Sequence, residues 1–138
     1  MEQTLILIKP DALERNLCGS IINRFEQRGL RICALKMLHL SRDLAAKHYF
    51  EHQSKPFYDS LLDFITSGPI VAMILSGQGV VALARQMMGA TDASLAPAGT
   101  IRGDFSFSKD RNIVHGSDSV VAAEREINLF FTKEEIFV

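Results

Sequence analysis

Ser67-Gly68-Pro69-Ile70-Val71-Ala72-Met73-Ile74-Leu75 is the stretch on which the fold turns. Glycine and proline punctuate regular structure, so residues 67–69 end the helix before them. The six residues that follow are apolar without a break. That is the pattern of a strand buried on both faces, not of one with a wet side.

Working outward, Phe57, Leu61, Phe64 and Ile65 share one helical face, and Pro56 suits the first turn of that helix. Ser41 is placed to cap an earlier helix running through His52. Arg31 to Leu40 has strand character. Cys18, Ile21, Ile22 and Phe25 recur at i, i+3, i+4 and i+7, a helical stripe that stops at Gly29. Thr4 to Ile8 is a short apolar strand closed by a loop at Lys9-Pro10. Downstream, Val80 to Met88 is helical, with Val81, Ala84 and Met88 on one side and Arg85 beside them. Residues 89–112 lack a period and read as a functional loop, because a structureless stretch of over about 20 residues is uncommon in a compact domain. That loop leads to a short strand, Ile113-Val114-His115, and to a helix from Asp118 to about Asn128. Asp118 suits the positive end of that helix. The order is strand, helix, strand, helices, strand, helix, strand, helix. It predicts an α+β sandwich of the split βαβ type, with helices packed on one four-stranded sheet.

A chain of 138 residues predicts a single domain over 1–138. The formal net charge of -1 excludes a generally basic nucleic-acid binder, so any phosphate site must concentrate a few cations locally. Two cysteines, Cys18 and Cys33, are too few for a secreted disulfide framework and are expected as reduced core thiols. The N-terminus lacks a basic leader with a cleavage site, and no apolar run approaches about 18 residues. The expected location is the cytoplasm, away from membranes.

Two motifs invite other readings. Gly77-Gln78-Gly79-Val80-Val81-Ala82 matches a dinucleotide fingerprint. The preceding strand is third in order, however, and the position about 20 residues on is Arg102, not an acid at a strand tip. A tight strand-to-helix turn explains it better. His48-Tyr49-Phe50-Glu51-His52 matches a zinc peptidase pattern, with Glu124 or Glu126 as a third ligand. The chain is too short for a peptide groove, so two partly exposed helix histidines are expected and zinc is expected to be dispensable. Arg102-Gly103-Asp104 spells an adhesion tripeptide, without meaning inside a cell.

Phosphoryl transfer is the chemistry that remains. Lys9 follows a strand end, Arg85 lies on a helix, and Arg102 lies in the long loop with Thr91 and Thr100. No Walker loop and no H-R-D or D-F-G signature is present, so side chains must grip the phosphate. In Arg111-Asn112-Ile113-Val114-His115-Gly116-Ser117-Asp118 a histidine ends a strand, and the glycine after it leaves its face open. A neutral imidazole can attack phosphorus without a separate base, provided one nitrogen is bare and the other donates to an acceptor. Glu126, on the following helix, is a candidate acceptor.

IKPD, HYFEH with KPF, SGPIVAMIL, MGATD, GTIRGDF and RNIVHGSD, in this order from about residue 3 to residue 131, resemble the nucleoside diphosphate kinase family. The resemblance implies a ferredoxin-like fold with an antiparallel sheet. It also implies transfer of a γ-phosphate from a nucleoside triphosphate, mainly ATP, to a diphosphate by a ping-pong route. On its motifs His115 matches the nucleophile, phosphorylated on Nδ1, and Glu126 the carboxylate holding Nε2–H. Lys9 and Asn112 match the sugar contacts, Lys9 also lying near the transferred phosphate. Arg85, Thr91, Arg102 and Tyr49 match the phosphate contacts. Phe57, with Leu61 beside it, matches the platform under the base. Ser117 matches the support of Glu126, and Asp118 reaches the water shell of a Mg2+ carried by the nucleotide, with no metal site of the protein's own. The implied partners are nucleoside triphosphates and diphosphates and further copies of the chain, a hexamer before a tetramer, with no nucleic acid required. Ala93 and Ala98 replace prolines usual in the long loop, and Lys109 and Lys55 are further departures. A catalytically silent regulator of the same fold is the alternative. Its mark would be loss of the histidine, Lys9 or an arginine, and all are present.

Overall fold

The structure is a computed structural model describing residues 1–106 and 108–138. Its four strands are β1 (Gln3–Ile8), β2 (Arg31–Leu38), β3 (Ile70–Ser76) and β4 (Val114–Gly116). They form one sheet in the order β2-β3-β1-β4 with every neighbour antiparallel. The expected four-stranded antiparallel sandwich is therefore present.

Alternation along the two central strands explains the layers. Leu5 and Leu7 of β1 join Ile70, Ala72 and Ile74 of β3 on one face. There they meet helices α3 (Arg42–His48), α4 (Tyr58–Ile65) and α7 (Val120–Phe130), through Ala45, Leu62, Ile65, Ile127 and Phe130. On the other face Ile6, Ile8, Val71, Met73 and Leu75 meet α2 (Cys18–Gln27) and α5 (Val80–Met88), through Ile21, Phe25, Val80, Ala84 and Met88. Each leucine, isoleucine, valine, methionine or phenylalanine among them contributes roughly 1.5–3 kcal/mol on burial. The unbroken apolar run at 70–75 is thus the middle layer of three.

Several boundaries depart from the sequence reading. Lys9-Pro10 opens a one-turn helix, α1 (Pro10–Glu14), because proline's fixed φ suits a first helical position. Strand β2 stops at Leu38, and the ring of His39 bonds the Thr66 carbonyl. The helix capped by Ser41 ends at His48, and Phe50–His52 continues as a separate 3-10 turn. Helix α7 begins two residues later than expected, capped by Ser119, whose side chain accepts from the Ala122 amide.

Stretch 89–112 is not structureless. Ala93–Leu95 forms a 3-10 turn and Ile101–Phe105 forms α6, capped by the Thr100 hydroxyl, which accepts from Gly103 N. Bonds between close neighbours hold this segment where two prolines were expected: Asp92 accepts from Ser94 N, and Asp104 accepts from Gly99 N. Gly103 is required by close approach, since a Cβ there would lie 1.9 Å from the Pro97 carbonyl oxygen. Among the described residues no helix is long and apolar enough to cross a membrane.

Candidate active site

The site is built around a bend in the backbone. Ile113 is fully buried and left-handed, with φ of 61°, a conformation that strains a β-branched residue. Val114 N donates to Asn112 O at 2.7 Å, closing a γ-turn of the rare strained kind with positive φ. The expected strand 113–115 therefore starts one residue later. Lys9 N donates to Ile113 O at 2.9 Å, and Ile113 N donates to the carboxylate of Asp11 at 3.1 Å. These bonds fasten the turn to the start of α1.

Beyond the turn, β4 pairs with β1 so that His115 stands opposite Leu7. Directly opposed residues share a face, which puts the imidazole on the side of α3 and α7. Gly116 points to the other face, where a Cβ would meet Met88 Sδ at 2.6 Å. That glycine lets β4 seat on α5. It does not serve to uncover the histidine.

Glu126 of α7 lies 3.0 Å from His115 Nε2, and its same oxygen accepts from Ser117 Oγ at 2.6 Å. Ser117 Oγ in turn accepts from Leu5 N, tying the carboxylate to the sheet. Burial opposes ionisation of Glu126, but the bonds from His115 and Ser117 and the nearby imidazoles outweigh it and hold the pKa at about 2. An ionised acceptor on Nε2 makes that nitrogen the donor, so the proton is on Nε2 and Nδ1 is bare. Burial pulls the His115 pKa below its ordinary 6.5, and Lys9 and Arg85 add to this against the pull of Glu126. The ring is therefore neutral and nucleophilic at pH 7.

His48 corrects the sequence reading. It is 4% exposed, not a partly exposed helix histidine, and its ring stands edge-on to that of His115 with centroids 4.6 Å apart. His52 sits on the separate 3-10 turn, so the zinc peptidase pattern is not assembled. Among the described residues the one group of three His, Cys, Asp or Glu side chains placed to hold an ion is His48, His115 and Glu126.

These residues open into a cleft of about 660 Å³ whose walls carry six lysines and arginines (Lys9, Arg85, Arg102, Lys109, Arg111 and Arg125) against four acids. Lys9 donates to Asn112 Oδ1 at 2.7 Å, and Asn112 Nδ2 donates to the Thr91 carbonyl. Burial, helped by Arg102, lowers the Lys9 pKa to about 8, so it stays charged at pH 7. Arg102 lies on α6, not in a loop, and is 3% exposed. Its guanidinium donates to the carbonyls of Asn112, Gly89 and Val114. Burial and Arg85 lower its pKa to about 10, well above neutrality. Two of its five donors thus brace the turn and a third holds Gly89, leaving the rest for the cleft. Arg85 donates to the Gly116 carbonyl at 3.2 Å.

The outer cleft is apolar on one side. Phe57, 48% exposed, and Leu61 offer a hydrophobic wall from the start of α4. Tyr49 is buried with its hydroxyl unpaired. Thr91, Asp118 and Lys109 lie at the exposed margin. All the residues expected at the site therefore line this cleft or, like Ser117, support it from behind. Asp11, His48 and Arg125 were missed. Asp11 sits beside Lys9 in the IKPD block, and that adjacency was the available signal; the other two are brought in by packing alone.

A nucleoside diphosphate kinase family model matches residues 2–136. The chain is 53% identical over 136 residues to the nucleoside diphosphate kinase of Desulforamulus reducens, covering 99% of this chain and 91% of that protein. For that of Thermus thermophilus the identity is 54%, with 99% of each chain covered. A halophilic nucleoside diphosphate kinase from Halobacterium salinarum, solved in complex with CDP, superimposes with a TM-score of 0.98 at 45% identity, covering 99% of this chain and 91% of that one. The Aquifex aeolicus enzyme superimposes with a TM-score of 0.95 at 38% identity, over 98% of both. The chain belongs to the nucleoside diphosphate kinase family.

Proposed function

We propose that the whole chain, 1–138, works as one domain that moves the γ-phosphate of a nucleoside triphosphate, mainly ATP, to a nucleoside diphosphate through a phosphohistidine on His115. The observation that carries this reading is the Ser117–Glu126–His115 relay, which fixes the proton on Nε2 at the floor of a cationic cleft. Nδ1 attacks phosphorus, the diphosphate leaves, and the second nucleotide takes the phosphate back. Charge spreads over the equatorial oxygens in the transition state, and in this reading Lys9, Arg85, Arg102, Tyr49 and Thr91 stabilise it. Lys9 and Asn112, already bonded to each other, are poised for sugar hydroxyls. Phe57 and Leu61 hold the base by stacking and contact, which reads its identity poorly.

A divalent cation, Mg2+ in this reading, accompanies the nucleotide. The donor set fits a metal carried by phosphates, because Asp118 is an exposed carboxylate at the cleft margin, available to the ion's waters. When bound, magnesium neutralises charge on the β and γ phosphates. The chain is expected to assemble with copies of itself, a hexamer before a tetramer, on the outer edge of β2, which pairs with no other strand among the described residues. The cytoplasm is the proposed compartment, supported by two free thiols. Initial rates with both nucleotides varied test the mechanism: parallel double-reciprocal lines are expected, and intersecting lines would mark direct transfer in a ternary complex.

A further inference from the structure

We propose that His48, His115 and Glu126 also form a binding site for a borderline-soft divalent cation of the zinc class, and that its occupation silences the nucleophile. One ligand atom from each of the three lies within 4.8 Å of the others. Glu126 Oε1 and His115 Nε2 are 3.0 Å apart, Ser117 Oγ holds Oε1 in place at 2.6 Å, and Arg125 stands 3.6 Å from the other carboxylate oxygen. His48 gives the independent sign of a ligand. It is 4% exposed, it packs against His115, Tyr49 and Phe130, and neither ring nitrogen has a hydrogen-bond partner among the described residues. A buried imidazole without partners is costly unless something fills the role.

Two imidazoles and one carboxylate, completed by a water, suit tetrahedral zinc. With metal–ligand distances of about 2.0–2.2 Å, the three atoms need contract by at most roughly 1.5 Å. Magnesium wants six oxygens and is a poor match. Lys9 and Arg85 stand close enough to repel a dication, which keeps the site weaker than a structural zinc site.

The consequence for the nucleophile is a change of tautomer. An ion bound to Nε2 occupies the lone pair exposed when that nitrogen gives up its proton. The proton passes through cleft water to Nδ1, and the ring's own charge is unchanged. Nδ1 then has no lone pair with which to attack phosphorus. This consequence rests on the phosphohistidine reading above, whereas binding of the ion does not.

Titrating the metal-free protein with zinc chloride in a calorimeter, without nucleotide, tests the site directly. One ion per chain is expected, undisturbed by excess magnesium, and cobalt(II) in its place should give the strong visible absorption of a tetrahedral centre. His48→Phe keeps the ring packing and should weaken zinc binding at least about tenfold, whereas His52→Ala should bind as the parent does. Zinc-loaded protein should take up phosphate from ATP and magnesium more slowly, with recovery on adding a chelator. No saturable binding, parent-like affinity in His48→Phe, or loss in His52→Ala would overturn the site. Should His48→Phe not fold, a six-coordinate cobalt spectrum in the parent protein would overturn it equally. Unimpaired labelling of the zinc-loaded protein would overturn the silencing. A metal-free protein that takes no label at His115 would instead sink the phosphohistidine reading and leave the zinc isotherm standing.

Discussion

Asp11 holds Ile113 by a 3.1 Å bond from the Ile113 amide to its carboxylate, joining the start of the first helix to the strained turn two residues before His115. Burial raises the Asp11 pKa, against the pull of Lys9 and the backbone amides it accepts from. Its other oxygen has no hydrogen-bond partner among the described residues. Removing the carboxylate leaves a buried amide unpaired and a left-handed isoleucine unsupported. Asp11→Ala should cost about 1–3 kcal/mol of stability, and kcat should fall as the turn relaxes away from the Glu126 relay. Thermal melts and steady-state rates check both. A variant that keeps its full melting temperature and full kcat would remove Asp11 from the account.

Lys9 sets the alkaline limb of the pH profile. Its pKa of about 8 in the free protein predicts that kcat/KM falls as pH rises through about 8, when the neutral amine ceases to attract phosphate. Bound nucleotide restores the charge, so kcat should hold to higher pH. Stability should move the other way. The folded pKa lies below the ordinary 10.5, so charged Lys9 costs stability at neutral pH, and that cost is relieved between about 8 and 10.5. A melting temperature falling in step with kcat/KM over pH 8–9 would contradict this. On the acid side, His115 titrates below 6.5, and kcat/KM should decline only once the imidazole takes a proton.

Base discrimination should be slight, within about tenfold among purine and pyrimidine diphosphates, since stacking tolerates any base. Phe57→Ala should raise KM for all of them alike, by about 1–3 kcal/mol in binding. Lys109, at the exposed margin of the cleft, is the side chain able to reach a base carbonyl and add a modest preference. A preference above about a hundredfold that survives Lys109→Ala would reveal a reading group elsewhere.

Leu35 and Met37 stand 51% and 66% exposed on β2, whose outer edge pairs with no other strand among the described residues. Such an edge invites pairing with a second copy. Light scattering should report a homo-oligomer at micromolar concentration, and Met37→Lys should weaken it. A stable monomer of the unaltered chain would contradict the assembly.

The layers of this fold were legible because periodicity reports burial. Residues 70–75 are apolar on both faces, and Cys18, Ile21, Ile22 and Phe25 trace one helical stripe. Where structure depends on contacts across the chain, the pattern is silent. Helix α6 is five residues long, contains Gly103, and is fixed by the Thr100 cap and by Arg102 reaching three distant carbonyls. His48 looks like a surface histidine until His115 and Phe130 close over it. Ile113 is a residue type expected to avoid the left-handed region, and only its bonds to Lys9 and Asp11 show why it is there. Chemistry was easier to read than geometry. His115 at its strand end and Glu126 as its acceptor are both readable from the sequence, and the two meet at 3.0 Å.

Phosphate trapped on the protein is the most direct test of the whole account. Incubated with ATP and magnesium and no acceptor, the protein should retain a label that is acid-labile and base-stable, as a phosphoramidate is, and a nucleoside diphosphate should discharge it as triphosphate. His115→Ala should take no label while still binding nucleotide, because Lys9, Arg85, Arg102 and Phe57 remain in the cleft. Label persisting in His115→Ala, or transfer by the unaltered protein with no trapped phosphate, would contradict the mechanism.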